Sequence, residues 1–238
     1  MTDHDSPGSL RLSRVHFPVT ALGPGTRLGV WVQGCHLACP GCMARDTWDP
    51  ADGHQEALDD LVDVWREVRR HGATGLTVSG GEPAEQSDAV AELVRRIRRA
   101  DDGLTRAGPA GSGGSGFGLL PPLDVLVFSG LDEEEFQARC QSLACCVDAV
   151  MLGRFDVTRP TDLIWRGSGN QRLVTFTALG ARRYAPYLEA VTTAPPMQFV
   201  VDAQRIWTIG VPRIGDLPRF ERRLNHHGLD KGRVSWRP

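Results

Sequence analysis

Apolar positions along this chain change period several times, and each change marks an element. The run LGVWVQG at residues 28–34 is almost continuously apolar, the pattern of a buried strand. Residues 55–70 place Leu58, Leu61, Val62, Trp65 and Val68 at the spacing of one helical face. TGLTVSGG at 74–81 predicts the next strand. Residues 84–100 then return to helical spacing at Val90, Leu93, Val94 and Ile97. Further on, LDVLVFSG at 123–130 predicts a strand, residues 131–143 a helix with Asp132 as N-cap, and VDAVMLG at 147–153 and QRLVTFT at 171–177 two more strands. Strand and helix in alternation predict parallel strands joined by right-handed helical crossovers, hence an α/β sheet or a partial barrel. Such folds do their chemistry at the carboxyl ends of their strands. QGCHLAC and SGGEP both fall at such ends.

The pattern breaks in two places. Residues 107–118, AGPAGSGGSGFG, are too rich in Gly and Ser to bury enough apolar area against their ordering entropy, and predict a flexible surface insert. From residue 177 onward MQFVVDAQRIWTIGV predicts two strands around a turn at Asp202 and Ala203. LPRFERRLNHHGL predicts a short terminal helix ending before Gly228. The organisation expected is a core over residues 1–176 and a C-terminal α+β extension over 177–238.

Composition narrows the setting. A length of 238 residues suits one domain with appendages, and a net charge of -2 with 24% charged residues lacks the basic excess of a nucleic-acid binder. No apolar run approaches the roughly 20 residues that span a bilayer, and the first residues do not read as a signal peptide. A cytoplasmic protein, free of membrane and nucleic acid, is the expectation. Six cysteines in a chain of this size then point to thiol or metal chemistry rather than disulfides.

Three of those cysteines, Cys35, Cys39 and Cys42, lie within eight residues at the spacing C-x3-C-x2-C. Three thiolates on one tight loop suit three irons of a cubane cluster, leaving the fourth iron open to a substrate. A structural zinc site wants a fourth ligand, for which His36 is awkwardly placed next to Cys35. A dithiol redox pair in CPGC leaves Cys35 unexplained. Buried core thiols seldom fall at this spacing. The second motif, Ser79 to Pro83, ends a strand with Gly80 and Gly81, which allow close backbone approach, and adds Glu82, an acceptor suited to an ammonium group. A plain Gly-Gly turn before a helix at Pro83 is the other reading of this stretch.

Taken together, these residues resemble the radical S-adenosyl-L-methionine (radical SAM) superfamily. GPGTR at 23–27, the cysteine loop through Trp48, SGGEP and LIWRGSGNQ at 163–171 are, in the same order, similar to the single-cluster glycyl-radical activases that serve anaerobic ribonucleoside-triphosphate reductase. The resemblance covers about residues 17–176 and implies a partial, open βα barrel of the radical SAM type. It implies a 4Fe-4S cluster on Cys35, Cys39 and Cys42, with S-adenosyl-L-methionine on its open iron. Glu82 would take the cofactor's ammonium, Gly80 and Gly81 would let it come close, and Gly41, Cys42 and Met43 would line its nucleoside side. Reductive cleavage of that cofactor to a 5'-deoxyadenosyl radical would install a glycyl radical on a partner protein. A flavodoxin- or ferredoxin-like donor would supply the electron. A radical enzyme acting directly on a peptide or small molecule, its pocket closed by the C-terminal extension, is the alternative.

Several residues stand beside these motifs. Arg27, Arg166 and Asn170 are read either as contacts to cofactor or partner or as parts of Gly-rich turns with a surface Arg. Ser129, ending a strand, is a further candidate contact. Cys140, Cys145 and Cys146 read as core or semi-buried thiols rather than a second cluster. Arg95 to Arg99 read as a solvated helix face with Ile97 inward. His71, His226 and His227, near helix ends, are assigned no chemistry.

Overall fold

The computed structural model describes residues 8–107, 121–201 and 206–228. The predicted insert at 107–118 lies outside them except for its first residue, as does the turn at Asp202 and Ala203.

Seven strands make one mixed sheet. In chain order they are β1 (Ser9–Val19), β2 (Arg27–Val32), β3 (His54–Ala57), β4 (Gly75–Gly80), β5 (Asp124–Ser129), β6 (Ala149–Leu152) and β7 (Arg172–Thr175). Their spatial order is β3-β1-β2-β4-β5-β6-β7. The central pairs β2–β4, β4–β5 and β5–β6 are parallel, as the alternation predicts. Both margins are antiparallel: β1 runs against β2 and β3, and β7 against β6. The expectation of parallel strands therefore holds for the four central strands and is corrected at the margins. No helix separates β6 from β7, so the chain returns directly instead of crossing over.

The helices join the parallel strands. α1 (Leu58–Arg70) follows β3, α2 (Ser87–Ala107) follows a 3-10 turn at Pro83–Gln86, and α3 (Glu133–Arg139) with α4 (Gln141–Ala144) precede β6. α1 starts three residues later than its period suggests, because His54–Ala57 pair with Leu12 to Ser9 at the sheet edge. Asp132 caps α3 in a reciprocal capping box with Glu135. The single helix predicted here is broken at Cys140.

The helical face of the sheet carries the main core, in which Leu28, Val30 and Val32 of β2 and Val125 and Val127 of β5 meet Leu61, Trp65, Leu93 and Ile97. Residues pointing the other way are equally buried. Leu126 and Met151 pack under Trp165 and Tyr184, and Trp31 packs under Ile209. This second cover comes from α5 (Ala178–Tyr184), the 163–188 segment and the hairpin of β8 (Met197–Val201) and β9 (Ile206–Gly210). α6 (Asp216–His226) follows. Cover on both faces explains why all six residues of β2 are buried.

At the amino end of the parallel strands, Arg27 and Asp124 form a fully buried ion pair at 2.9 Å. Arg27 also donates to Thr77 Oγ1 (2.6 Å) and Leu76 O (2.7 Å). Asp124 further pairs with Arg183 at 2.6 Å and accepts the Tyr184 hydroxyl. Arg27 thus lies in the interior at the end of the strands opposite the cysteine loop, and is not a surface residue of a turn. Among the described residues no helix is long and apolar enough to cross a membrane.

Candidate functional site

Because β2, β4, β5 and β6 are parallel, their carboxyl ends lie together, and the antiparallel β7 starts from that same end. The loops gathered there are the cysteine loop after β2, the Gly80–Glu82 turn after β4, Ser129–Gly130 after β5 and the 153–171 segment after β6.

The cysteine loop is held mainly by its own backbone. Gly34 N–H donates to Thr47 O (2.8 Å), Cys35 N–H to Trp48 O (3.0 Å) and Cys42 N–H to Cys39 O (3.1 Å). Gln33, buried at its root, donates its side-chain amide to Asp46 O and Asp49 O, at 3.0 and 2.7 Å. Glu85 grips the outer limb, accepting His36 N–H at 2.7 Å and facing the His36 ring at 2.9 Å. Gln33 and Glu85 carry no motif of their own, and only folding shows them as braces of the loop.

The three thiols are free and half-buried. Burial pushes Cys35 up to about 11, opposed by the backbone N–H of Leu37 and reinforced by the charges of Glu82 and Glu85. Burial also raises Cys42, opposed by the Ala44 N–H and by the indole of Trp48. N–H groups aimed at the sulfurs suit thiolates that ligate iron, and iron would supply the energy of deprotonation. Among the described residues no three His, Cys, Asp or Glu side chains gather as ligands of one metal ion. A cubane asks for something else, one thiolate on each of three irons, and the chemistry of this donor set fits that group.

The Gly80–Glu82 turn lies directly on the root of the cysteine loop. Gly81 N–H donates to Val32 O and Glu82 N–H to Gly34 O, both at 2.8 Å. A Cβ at Gly81 would stand 2.2 Å from Gly34 O, and one at Gly80, whose φ is +104°, 2.5 Å from Val32 O. The space these glycines leave open is filled by the chain's own backbone, so their first requirement is contact between two strand ends. Gly80 also borders the cavity described below.

Glu82 is 3% exposed. Its Oε1 accepts Ala84 N–H (2.9 Å) and Ser129 Oγ–H (2.8 Å), and its Oε2 accepts Gly130 N–H (2.7 Å). Ser129 therefore meets Glu82, and with Gly130 it ties β5 to the turn. Burial raises the Glu82 carboxyl, opposed by these three bonds and reinforced by the charge of Glu85. Leu37 of the cysteine loop packs on Gly130 beside this carboxylate. No cation pairs with Glu82 among the described residues. Buried carboxylates normally have such a partner, and Oε2 keeps acceptor capacity for one.

Beside the loop lies a cavity of about 430 Å³, within the range of small-molecule sites. Gly41, Cys42 and Met43 line it together with Gly80, and Phe155, Trp165 and Gln171 close it from the 153–171 segment. Gly41 has a φ of +78°, and a Cβ there would meet the Phe155 ring at 3.3 Å.

The other candidates do not line this cavity. Arg166 is buried and donates to Leu188 O, and Asn170 donates to Arg154 O. Cys140 is core, Cys146 half-buried and Cys145 exposed. Of the arginine run, Arg96 pairs with Asp59 and Glu92, and Arg98 reaches across to the buried Asp148 at 2.6 Å.

Comparison with known proteins bears on the same stretch of chain. Residues 21–106 match the family described as a 4Fe-4S single cluster domain, a stretch that holds all three loop cysteines and Glu82. More narrowly, the chain is similar to proteins named anaerobic ribonucleoside-triphosphate reductase-activating protein. It is 29% identical to that of Vibrio cholerae over 170 residues, 68% of this chain and 96% of the relative. The Escherichia coli K12 protein is 29% identical over 163 residues (66% and 93%), and that of enterobacteria phage T4 26% over 153 residues (63% and 85%). The likeness seen in the motifs thus extends over about two-thirds of the chain, and these relatives are covered nearly end to end.

Proposed function

We propose that this chain carries a 4Fe-4S cluster on Cys35, Cys39 and Cys42, binds S-adenosyl-L-methionine beside it, and installs a glycyl radical on a partner reductase. The observation that carries the reading is the stitching of the cysteine loop to a turn holding a buried carboxylate that has no cation partner among the described residues. A carboxylate in that position is matched by an ammonium group, and a charge-assisted bond there is among the stronger single contacts available. Glu82 takes the ammonium, beside Gly130 and Leu37. Gly80 holds the turn against the loop, and Gly41 and Met43 offer the nucleoside an apolar wall.

Held by Cys35, Cys39 and Cys42 and beside Glu82, cluster and cofactor would supply one-electron cleavage of a sulfonium bond and abstraction of a hydrogen atom from the partner. The chain's own task is positioning and exclusion of water. The crossover helices α1 to α4 along one face of the parallel strands, with the site at the strands' carboxyl ends, support an open, partial barrel, and complete barrels typically need about 250 residues. On this reading residues 1–176 are the core and 177–238 an extension. A flavodoxin- or ferredoxin-like donor reduces the cluster, and the protein works in the cytoplasm without nucleic acid.

The names of the relatives point to a ribonucleoside-triphosphate reductase as the partner. A second reading, direct action on a peptide or small molecule, is favoured by one observation: residues 207–218 help line the cavity. The test is to mix anaerobically reconstituted protein, cofactor, reductant and the reductase encoded by the same genome. A glycine-centred signal in electron paramagnetic resonance is expected. Efficient cofactor cleavage without that signal favours the second reading, and no cofactor binding overturns both.

A further inference from the structure

The C-terminal extension is built into the cavity wall. Trp207, Ile209, Val211 and Leu217 line it together with Cys42, Met43 and Gly80 of the core. Ile209 is 1% exposed and packs with Val19, Ala21, Leu22 and Trp31. Three anchors seat the hairpin. The side-chain amide of Gln198 bridges β1, donating to Pro18 O (2.7 Å) and accepting Thr20 N–H (3.2 Å). Arg213 pairs with Asp162 at 2.9 Å and donates to Thr193 O at 3.0 Å. Trp207 packs edge-on against His16 (5.0 Å) and Trp31 (5.9 Å).

The third anchor reaches the cysteine loop. Arg14 of β1 lies over the Trp207 ring, 5.6 Å from its centroid, and its guanidinium pairs with Asp46, four residues after Cys42. Asp46, Arg14 and Trp207 therefore form a clasp between the loop that carries the cysteines and the extension. The charged groups on the lining, Arg14, Asp46 and Arg213, are all engaged in ion pairs. The surface that the extension adds is apolar and aromatic, suited to an uncharged, planar part of a ligand.

We propose that β9 from Trp207 onward, with residues 211–218, is the outer wall of the cofactor cavity, that Trp207 contacts the nucleoside portion of the bound cofactor, and that the Asp46–Arg14–Trp207 clasp holds that wall in register with the cysteine loop. This rests on the function proposed above. It assigns the extension to binding of the cofactor, where a freely attached appendage would leave binding untouched.

The experiment titrates S-adenosylmethionine into reconstituted wild-type protein and into Trp207→Ala, Trp207→Phe, Arg14→Gln and the Trp207→Ala/Arg14→Gln double variant. Iron content and backbone hydrogen exchange of the hairpin are followed in each. Loss of an aromatic contact to a base weakens binding about tenfold, and that loss is expected for Trp207→Ala. Iron content should stay at the wild-type level, and Trp207→Phe should recover most of the affinity. Arg14→Gln should weaken binding and speed exchange in β9, and the double variant should bind no worse than Trp207→Ala, because the two residues act as one unit. Binding by Trp207→Ala within twofold of wild type overturns the wall assignment, and fully additive losses overturn the clasp. Failure of the wild-type holoprotein to bind the cofactor overturns the proposed function and this inference with it.

Discussion

Replacing Glu82 by Gln tests the site most directly, because it keeps the shape and removes the charge. In the wild-type protein the carboxylate accepts three hydrogen bonds from neutral donors, one of them Gly130 N–H at 2.7 Å on Oε2. The amide oxygen of Gln can keep the Ala84 and Ser129 bonds. Its NH2 then faces the Gly130 N–H, donor against donor, which costs about 1–3 kcal/mol for the unsatisfied pair. Release from burying an unpaired charge offsets part of that cost, so the variant folds and assembles its cluster. Cofactor affinity should fall much further. A hydrogen bond to a charged group contributes about 1.5–3 kcal/mol, which is roughly ten- to a hundredfold in Kd. The assay is isothermal titration of S-adenosylmethionine into anaerobically reconstituted protein. Wild-type affinity should also decline as pH falls through the raised Glu82 value, since the protonated acid no longer attracts an ammonium. The Gln variant should lack that pH dependence. Affinity within twofold of wild type, with the same pH profile, would refute the role of this carboxylate.

Further outcomes are expected at other positions. Cys39→Ala should abolish cluster assembly, read as loss of bound iron and of the visible absorption, and an intact 4Fe-4S spectrum in this variant would contradict the ligand assignment. Trp48→Phe removes the indole N–H that faces the Cys42 sulfur. Hydrogen bonds to cluster sulfurs help set the reduction potential, so spectroelectrochemical titration should give a more negative midpoint at unchanged iron content. Arg27→Met leaves Asp124 buried without its 2.9 Å partner. Breaking a buried pair costs about 3–5 kcal/mol when the remaining charge is left unpaired; Asp124 keeps Arg183 at 2.6 Å, so denaturant unfolding should show a loss below that range. In the fraction that remains folded, cofactor affinity should equal wild type, and a specific loss of affinity would return Arg27 to the site.

Local periodicity was enough for the elements with one apolar face or an unbroken apolar run. Leu58, Leu61, Val62 and Trp65 are buried where the helical spacing puts them, and the three parallel pairings join strands that read as apolar runs. The eight-residue cysteine spacing likewise named the candidate cluster ligands, because that chemistry needs three thiolates on one loop. β1 and the direction of β7 were not legible, since strand pairing is a contact between distant segments and leaves no local period to read. The same holds for single residues. Arg27 reads as part of a Gly-rich turn, yet it opens β2 and meets Asp124, far along the chain, in the interior. Glu82 sits in a recognisable turn, yet its bonds to Ser129 and Gly130 appear only when β4 and β5 lie side by side. Trp207, in a segment that reads as a plain hairpin strand, becomes part of the cavity because Arg14 and Trp31 stand beneath it. By itself the sequence determined which groups are present and how often apolar positions recur. Tertiary structure decided their neighbours, and for buried charges and cavity walls the neighbours set both energy and role.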